Sequence, residues 1–135
     1  MAQTMEENAV AQGKTFVWHE LYGATTAASV EFYSKVLGWE TEVMDMGDFS
    51  YTMFKSNGTP VAGVLGTSEI PHLADVPPHW AVYIGVDDVD ARLAKCVELG
   101  ATVLVEPMDV PTVGRMALIQ DPQGATFWLF KDATA

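Results

Sequence analysis

Apolar positions recur at helical spacing in two segments of the chain, and each segment ends in a Leu-Gly pair. The first helix is predicted from a Thr25 or Thr26 cap to about Leu37. The second is predicted from an Asp87 or Asp88 cap to Leu99, with a glycine following each helix. The predicted apolar faces of the two helices are Val30, Tyr33, Val36 and Leu37, and Val89, Leu93, Cys96 and Val97.

Stretches rich in β-branched and aromatic residues flank both helices and predict strands. Asn57-Gly58 indicates a two-residue hairpin turn, because a type I′ turn needs positive φ at both positions. Asp121-Pro122-Gln123-Gly124 is typical of a turn in the second half. The strands are predicted over residues 15–22, 39–46, 49–55, 61–65, 79–86, 102–106, 115–120 and 126–131.

The same β-α-β-β-β order therefore occurs twice, with the Leu-Gly pairs and turn glycines at nearly constant offset, which indicates a duplicated unit. We predict an α+β fold with a mixed sheet curved into a cup and the helices on its outer face. The predicted organisation is a flexible arm (1–14), a single domain (15–131) and a tail (132–135). Within the domain lie module one (15–66), a proline-containing linker (67–78) and module two (79–131).

Composition narrows the class of partner. The 135-residue chain carries 7 basic against 18 acidic residues, a formal net charge of −11. This charge argues against nucleic acid and anionic membranes, which both bind basic surfaces. No apolar run is long enough to span a bilayer, and no signal peptide is visible. The single cysteine, Cys96, excludes an internal disulfide, so a cytoplasmic location is expected.

Two motifs resemble the vicinal oxygen chelate superfamily, which includes glyoxalase I, bleomycin-resistance proteins and extradiol dioxygenases. They are Ser29-x-x-Phe32-Tyr33-x-x-x-Leu37-Gly38-Trp39, and Asp121-Pro122-x-Gly124 followed by Phe127. The resemblance covers residues 15–131 and implies paired modules forming a cup. It also implies a small organic ligand and, by likeness to the resistance proteins, a homodimer.

The metalloenzymes of this superfamily bind a divalent metal through His and Glu side chains in the cup. Carried over strand by strand, the resemblance places Trp18, Ala62, Ala81 and Trp128 at those positions. Indole and methyl groups are not metal ligands, so no metal and no other cofactor is predicted. A non-standard site formed by Glu20 and His79, with His72 as a third donor, is the alternative.

His19 and Glu20 are adjacent, but successive strand residues point to opposite faces. If Trp18 lines the cup, Glu20 and Tyr22 do so too, while His19 faces the helix; a register slip of one residue would reverse this. A carboxylate in an aromatic cup would bind a cationic or hydroxyl-bearing ligand or act as a general base. A structural ion pair or a solvated rim position is the alternative for Glu20.

The remaining ligand-binding candidates form an aromatic and methionine-rich set suited to stacking on a planar organic molecule. Arg115, after a glycine at a strand start, is a candidate for an anionic ligand group, with a surface salt bridge as its alternative. A rim position is the alternative for His79, and ordinary core for the others. The set is Trp18, Tyr22, Tyr51, Met53, His79, Tyr83, Arg115 and Trp128.

The sequence thus predicts a small-molecule binding protein of glyoxalase or bleomycin-resistance type, independent of metal. The first alternative is an enzyme of the same superfamily, a lyase, isomerase or hydroxylase, using Glu20 as base or an unusual metal set. The second is a structural or regulatory subunit with a filled cup.

Overall fold

A computed structural model describes residues 14–47 and 50–133. The predicted N-terminal arm up to residue 13, the first residue predicted for the third strand (Phe49) and the last two tail residues lie outside this description. The helices are α1 (Thr26–Leu37) and α2 (Val89–Glu98). The strands are β1 (Phe16–Gly23), β2 (Glu40–Asp45), β3 (Ser50–Ser56), β4 (Thr59–Gly66), β5 (His79–Gly85), β6 (Thr102–Val110), β7 (Gly114–Gln120) and β8 (Thr126–Asp132).

The predicted α+β fold and the repeated β-α-β-β-β order are confirmed. The predicted linker contains two short 3-10 helices, Thr67–Glu69 and Pro71–Leu73. Contacts divide the described chain into two compact units. The first unit is Trp18–Ala81, and the second comprises the described residues up to Val17 and from Val82 onward.

In the first unit the strands are ordered β2-β3-β4-β1. The first two pairings are antiparallel, and β4 runs parallel to β1. The Thr25 hydroxyl accepts a hydrogen bond from the Ala28 amide and caps α1, and Gly38 ends the helix at φ 72°. The hairpin turn has positive φ at both Asn57 (51°) and Gly58 (80°), as predicted.

The core of the first unit lies between α1 and one face of its sheet. Its buried side chains are Leu21, Phe54, Ala62 and Val64, with Val30, Tyr33, Trp39 and Val61 packed against them. The apolar face predicted for α1 is wrong at two of its four residues. Val36 and Leu37 are exposed, because the first two turns of α1 supply the contacts with this core.

The second unit contains β6, β7, β8 and the part of β5 from Val82 onward, in the order β5-β8-β7-β6, with β5 parallel to β8 and the other pairs antiparallel. The Asp88 carboxylate caps α2 by accepting from the Ala91 amide. Val89, Ala117, Ile119 and Leu129 form the buried core, and Leu93 and Cys96 pack against it. Val97 is exposed, so its predicted place on the apolar stripe of α2 is wrong.

A β-bulge in the first unit corrects one position carried over from the resemblance. Phe54 pairs with Ala62, but the next residue, Lys55, pairs with Pro60, so Val61 is an extra residue in β4. Regular alternation counted from the Asn57-Gly58 turn would put Ala62 opposite Met53. The bulge puts Gly63 there instead, and Ala62 packs in the core under α1.

Candidate functional site

The sheet of the first unit carries chemistry on the face opposite α1, which we call the distal face. Leu21 packs in the core toward the helix, so Trp18, Glu20 and Tyr22 point the other way. Gly63 pairs with both Glu20 and Met53, which places these three positions on that same face. The residues of the distal face that concern the site are Trp18, Glu20, Tyr22, Tyr51, Met53 and Gly63.

Three side chains of the distal face form a directed hydrogen-bond chain. The Trp18 indole N–H donates to the Tyr51 hydroxyl oxygen at 3.1 Å. The Tyr51 hydroxyl in turn donates a hydrogen bond to Oε2 of Glu20. The carboxylate is the final acceptor and is 5% exposed. The chain therefore joins a buried carboxylate to two aromatic donors, which fix its direction on the sheet.

The protonation state of Tyr51 follows from this arrangement. Burial raises the pKa of the Tyr51 phenol far above its usual value of 10.0, and the Glu20 charge and hydrogen bond add to that rise. A phenolate beside a carboxylate in a poorly solvated place would be strongly disfavoured. Tyr51 therefore stays protonated at neutral pH and acts as a hydrogen-bond donor to Glu20.

Gly63 leaves the space in which this pair meets. A Cβ atom on Gly63 would lie 2.5 Å from Oε2 of Glu20 and closer still to the Tyr51 hydroxyl, inside van der Waals contact. The missing side chain is thus required by the Glu20–Tyr51 contact. Neither this contact nor Gly63 was predicted from the sequence, although a glycine inside a strand often marks a close approach of neighbouring groups.

His79 lies against Tyr22. The two rings are stacked, with centroids 4.9 Å apart and an interplanar angle of 12°. Nδ1 of His79 lies 2.7 Å from the carbonyl oxygen of Pro77. Because a carbonyl oxygen only accepts, Nδ1 carries the proton of this bond, and in the neutral ring Nε2 is left as an acceptor.

The alternative metal site was predicted from Glu20, His79 and His72. His72 is exposed in a short 3-10 helix, and His19, beside Glu20, is exposed as well. Within residues 14–47 and 50–133, no group of three or more His, Cys, Asp and Glu side chains could hold a metal ion. Independence of metal remains a prediction, which requires measurement.

The second unit holds the remaining aromatic candidates. Tyr83 and Trp128 are cross-strand partners, and their rings stack with centroids 5.3 Å apart and an interplanar angle of 5°. Both side chains are buried, and Phe130 meets Tyr83 edge to face. This stack lies on the strand face opposite Leu129, which packs toward α2.

Arg115 of the second unit lies in an acidic surface network. Its Nε and Nη2 atoms donate to the Asp90 carboxylate at 2.7 and 2.9 Å, and Nη1 donates to Asp109 at 3.1 Å. These carboxylates raise the pKa of the guanidinium above its ordinary value. The surface salt bridge named as the alternative for Arg115 is therefore present, and a role in ligand binding remains a prediction.

Sequence and fold both relate the chain to known proteins. The family model of the Glyoxalase/Bleomycin resistance protein/Dioxygenase superfamily matches residues 15–129. The chain belongs to this superfamily, and the resemblance inferred from its motifs is confirmed. No helix among the described residues has the length and apolar character needed to cross a membrane.

Two curated relatives show how similar the chain is in sequence to known proteins. The Mycobacterium tuberculosis protein named "Putative glyoxylase CFP32" is 38% identical over 120 residues, covering 88% of this chain and 44% of that protein. The anthracycline biosynthesis protein DnrV of Streptomyces peucetius is 36% identical over 130 residues, covering 84% of this chain and 46% of that protein. The chain spans less than half the length of these relatives.

Solved structures show the same fold at low identity. A methylmalonyl-CoA epimerase of Streptomyces coelicolor is 24% identical with a TM-score of 0.60, covering 90% of this chain and 99% of that one. The hypothetical protein BH1468 of Bacillus halodurans is 14% identical with a TM-score of 0.63, covering 87% and 94%. At these identities the likeness supports the fold and not the activity.

Proposed function

We propose that the protein binds a small planar organic molecule on the distal face of the first unit, without a metal. The observation that carries this proposal is the buried Glu20 carboxylate, oriented by Tyr51 and Trp18 among aromatic side chains. An apolar surface with one fixed polar group is typical of ligand sites, where rings supply contact area and the polar group supplies orientation.

The burial of the Glu20 carboxylate supports a role in ligand binding over a purely structural one. Removing a charged group from water costs several kcal/mol, roughly, unless hydrogen bonds compensate it. Tyr51 supplies one such bond as a neutral donor. Buried ionisable groups in specific contact with a second titratable group cluster at functional sites.

The proposed function also includes an oligomeric state and a cellular location. We propose a homodimer with cupped binding surfaces, supported by superfamily membership and by exposed apolar side chains such as Phe32, Val36 and Leu37. A reducing, cytoplasmic location is supported by the single cysteine. The Cys96 thiol is free, and burial raises its pKa, which disfavours the reactive thiolate.

An enzyme is the second candidate, and one specific observation favours it. Glu20 is buried and accepts a hydrogen bond from the Tyr51 hydroxyl, so its carboxylate is held in a fixed orientation. A general base must be held in this way before it can abstract a proton efficiently. Under this alternative Glu20 removes a proton from a bound substrate, and Tyr51 keeps the carboxylate oriented.

The decisive experiment measures ligand binding and metal content on the same preparation. Tryptophan fluorescence is titrated with planar aromatic ligands, including an anthracycline because DnrV bears that name. Elemental analysis precedes the titration. Quenching by metal-free protein that weakens in Glu20→Gln, but not in the exposed control Glu31→Gln, supports the proposal. Stoichiometric metal, or equal binding by both variants, contradicts it.

A further inference from the structure

A groove of about 360 Å³ lies beside the turn that joins β6 to β7 in the second unit. Two backbone hydrogen bonds hold the turn: the Val113 amide donates to the Val110 carbonyl, and the Ala133 amide donates to the Val113 carbonyl. Thr112 has a φ of 66°, which is uncommon for a β-branched residue and recurs at ligand sites. We call this site the hairpin groove, and it is lined by residues 109–112, 114–115 and 131–133.

Three charged side chains lie in a row across the sheet at the hairpin groove. Arg115 of β7 is the direct cross-strand partner of Asp109 in β6 and of Lys131 in β8. Direct partners share a face of the sheet, so one negative charge is followed by two positive charges. Like charges opposite each other destabilise a sheet, and a negatively charged group beside Arg115 and Lys131 would offset that cost.

The two cations differ in how far the protein already neutralises them. Arg115 donates through two nitrogens to Asp90 and through the third to Asp109. Lys131 is half-buried, yet its ammonium group makes no ion pair with any carboxylate of residues 14–47 and 50–133. Lys131 is therefore the residue of the groove with which an incoming carboxylate would form a charge-assisted hydrogen bond.

The charges around the groove favour a ligand without net charge. Asp109 and Asp132 line it together with Arg115 and Lys131, two negative and two positive side chains. A ligand with a carboxylate alone would also be repelled by the formal net charge of −11 on the chain. A zwitterion avoids this repulsion, and its ammonium group would be attracted by the exposed Asp109 carboxylate.

We propose that the hairpin groove binds a small zwitterion of the α-amino acid class, with its carboxylate on Lys131 and its ammonium group near Asp109. Gly114 permits this arrangement, because a Cβ atom there would clash with the Lys131 carbonyl oxygen and push β8 away from the turn. The groove belongs to the second unit and uses no residue of the distal face. The inference is therefore independent of the proposed function.

Three probes that share an isobutyl side chain test the charge requirement by NMR titration of the isotope-labelled protein at neutral pH. Leucine carries both charges, leucinol lacks the carboxylate, and N-acetylleucine lacks the ammonium group. We expect leucine to bind about five- to tenfold more tightly than either analogue, between the effect of an exposed ion pair and that of a hydrogen bond to a charged group. The amide shifts of residues 109–115 and 131–133 should change most.

Matched variants assign the two charge preferences to single side chains. Lys131→Gln should bring the preference for leucine over leucinol toward onefold, and Lys131→Arg, which keeps the cation, should retain it. The control Lys95→Gln removes the same charge from an exposed position of α2 in the same unit and should also retain it. Asp109→Asn should reduce only the preference for leucine over N-acetylleucine.

The proposal is wrong if millimolar leucine leaves the amide shifts of the groove unchanged, or if leucine and leucinol bind equally well. An undiminished preference in folded Lys131→Gln also overturns it, because the carboxylate would then bind elsewhere. Should Lys131→Gln fail to fold, Asp109→Asn and the wild-type shift map decide in the same way. Quenching by aromatic ligands without leucine binding would leave the proposed function standing while this inference fails.

Discussion

Replacing Gly63 by alanine tests whether the Glu20–Tyr51 pair depends on a missing side chain. Gly63 does not have a positive φ, so alanine meets no backbone strain there. In unconstrained space such a change stabilises a protein by about 0.4–1 kcal/mol, because it reduces the freedom of the unfolded chain. The contacts around Gly63 predict the opposite sign.

The magnitude follows from the atoms that the new methyl group meets. These are the hydroxyl and the ring carbon Cζ of Tyr51 and Oε2 of Glu20, so the Tyr51 ring and the carboxylate must both move to admit the methyl group. The expected cost is therefore the lost hydrogen bond to a charged group, about 1.5–3 kcal/mol, with some overpacking in addition. We expect Gly63→Ala to lower the free energy of unfolding by about 2–4 kcal/mol.

Urea denaturation gives the free energy of unfolding directly. A double-mutant cycle with Tyr51→Ala isolates the contact, because removing the whole ring removes the main obstacle to the methyl group. In that background Gly63→Ala should cost at least about 1 kcal/mol less than in the wild type. A neutral or stabilising effect in the wild-type background would refute the reasoning.

Four further predictions follow from the same contacts. Tyr51→Phe should lower the free energy of unfolding, measured in urea, by about 1.5–3 kcal/mol. The control Tyr33→Phe should lower it by about 1 kcal/mol or less, because the Tyr33 hydroxyl only accepts an exposed hydrogen bond from Trp80. Because the pKa of Tyr51 is raised in the folded protein, the phenol of the unfolded chain ionises first, and the stability of the wild type should fall above about pH 10. Relative to Tyr51→Phe, the free energy of unfolding should then decrease by up to about 1.4 kcal/mol per pH unit. Identical pH profiles of the two proteins would contradict this prediction. Arg115→Gln should lower the thermal midpoint slightly, with an effect that shrinks in high salt, whereas a salt-independent loss would indicate a different role. Dialysis against EDTA should leave the midpoint and ligand quenching unchanged, and a drop restored by a divalent metal would contradict the metal-free proposal.

Local sequence patterns predicted the helices, strands and turns of the two modules, because these elements depend mainly on residues that are close in sequence. The Thr25 cap, Gly38 after the first helix and the Asn57-Gly58 turn each act over a few residues, and all three appear as predicted. The motifs around Phe32-Tyr33 and Asp121-Pro122 also sufficed to indicate the superfamily, which the family model confirms.

Helix faces were predicted less well than helix positions. Val36 and Val97 fit an apolar periodicity in the sequence but are exposed. Periodicity defines a stripe along a helix, and only the packed sheet decides how far that stripe remains in contact. Alternation along β1 was sufficient to separate Glu20 from Leu21, since regular strands alternate strictly.

The sequence by itself determined the order of elements, the superfamily and the identity of Glu20 as the polar group among aromatic residues. Only the tertiary structure decided the partners of that carboxylate. The bulge at Val61 replaced Ala62 by Gly63 on the distal face, and the register of β3 and β4 brought Tyr51 to Glu20. A bulge shifts every later residue of its strand to the opposite face, so counting along the chain could not reveal this contact.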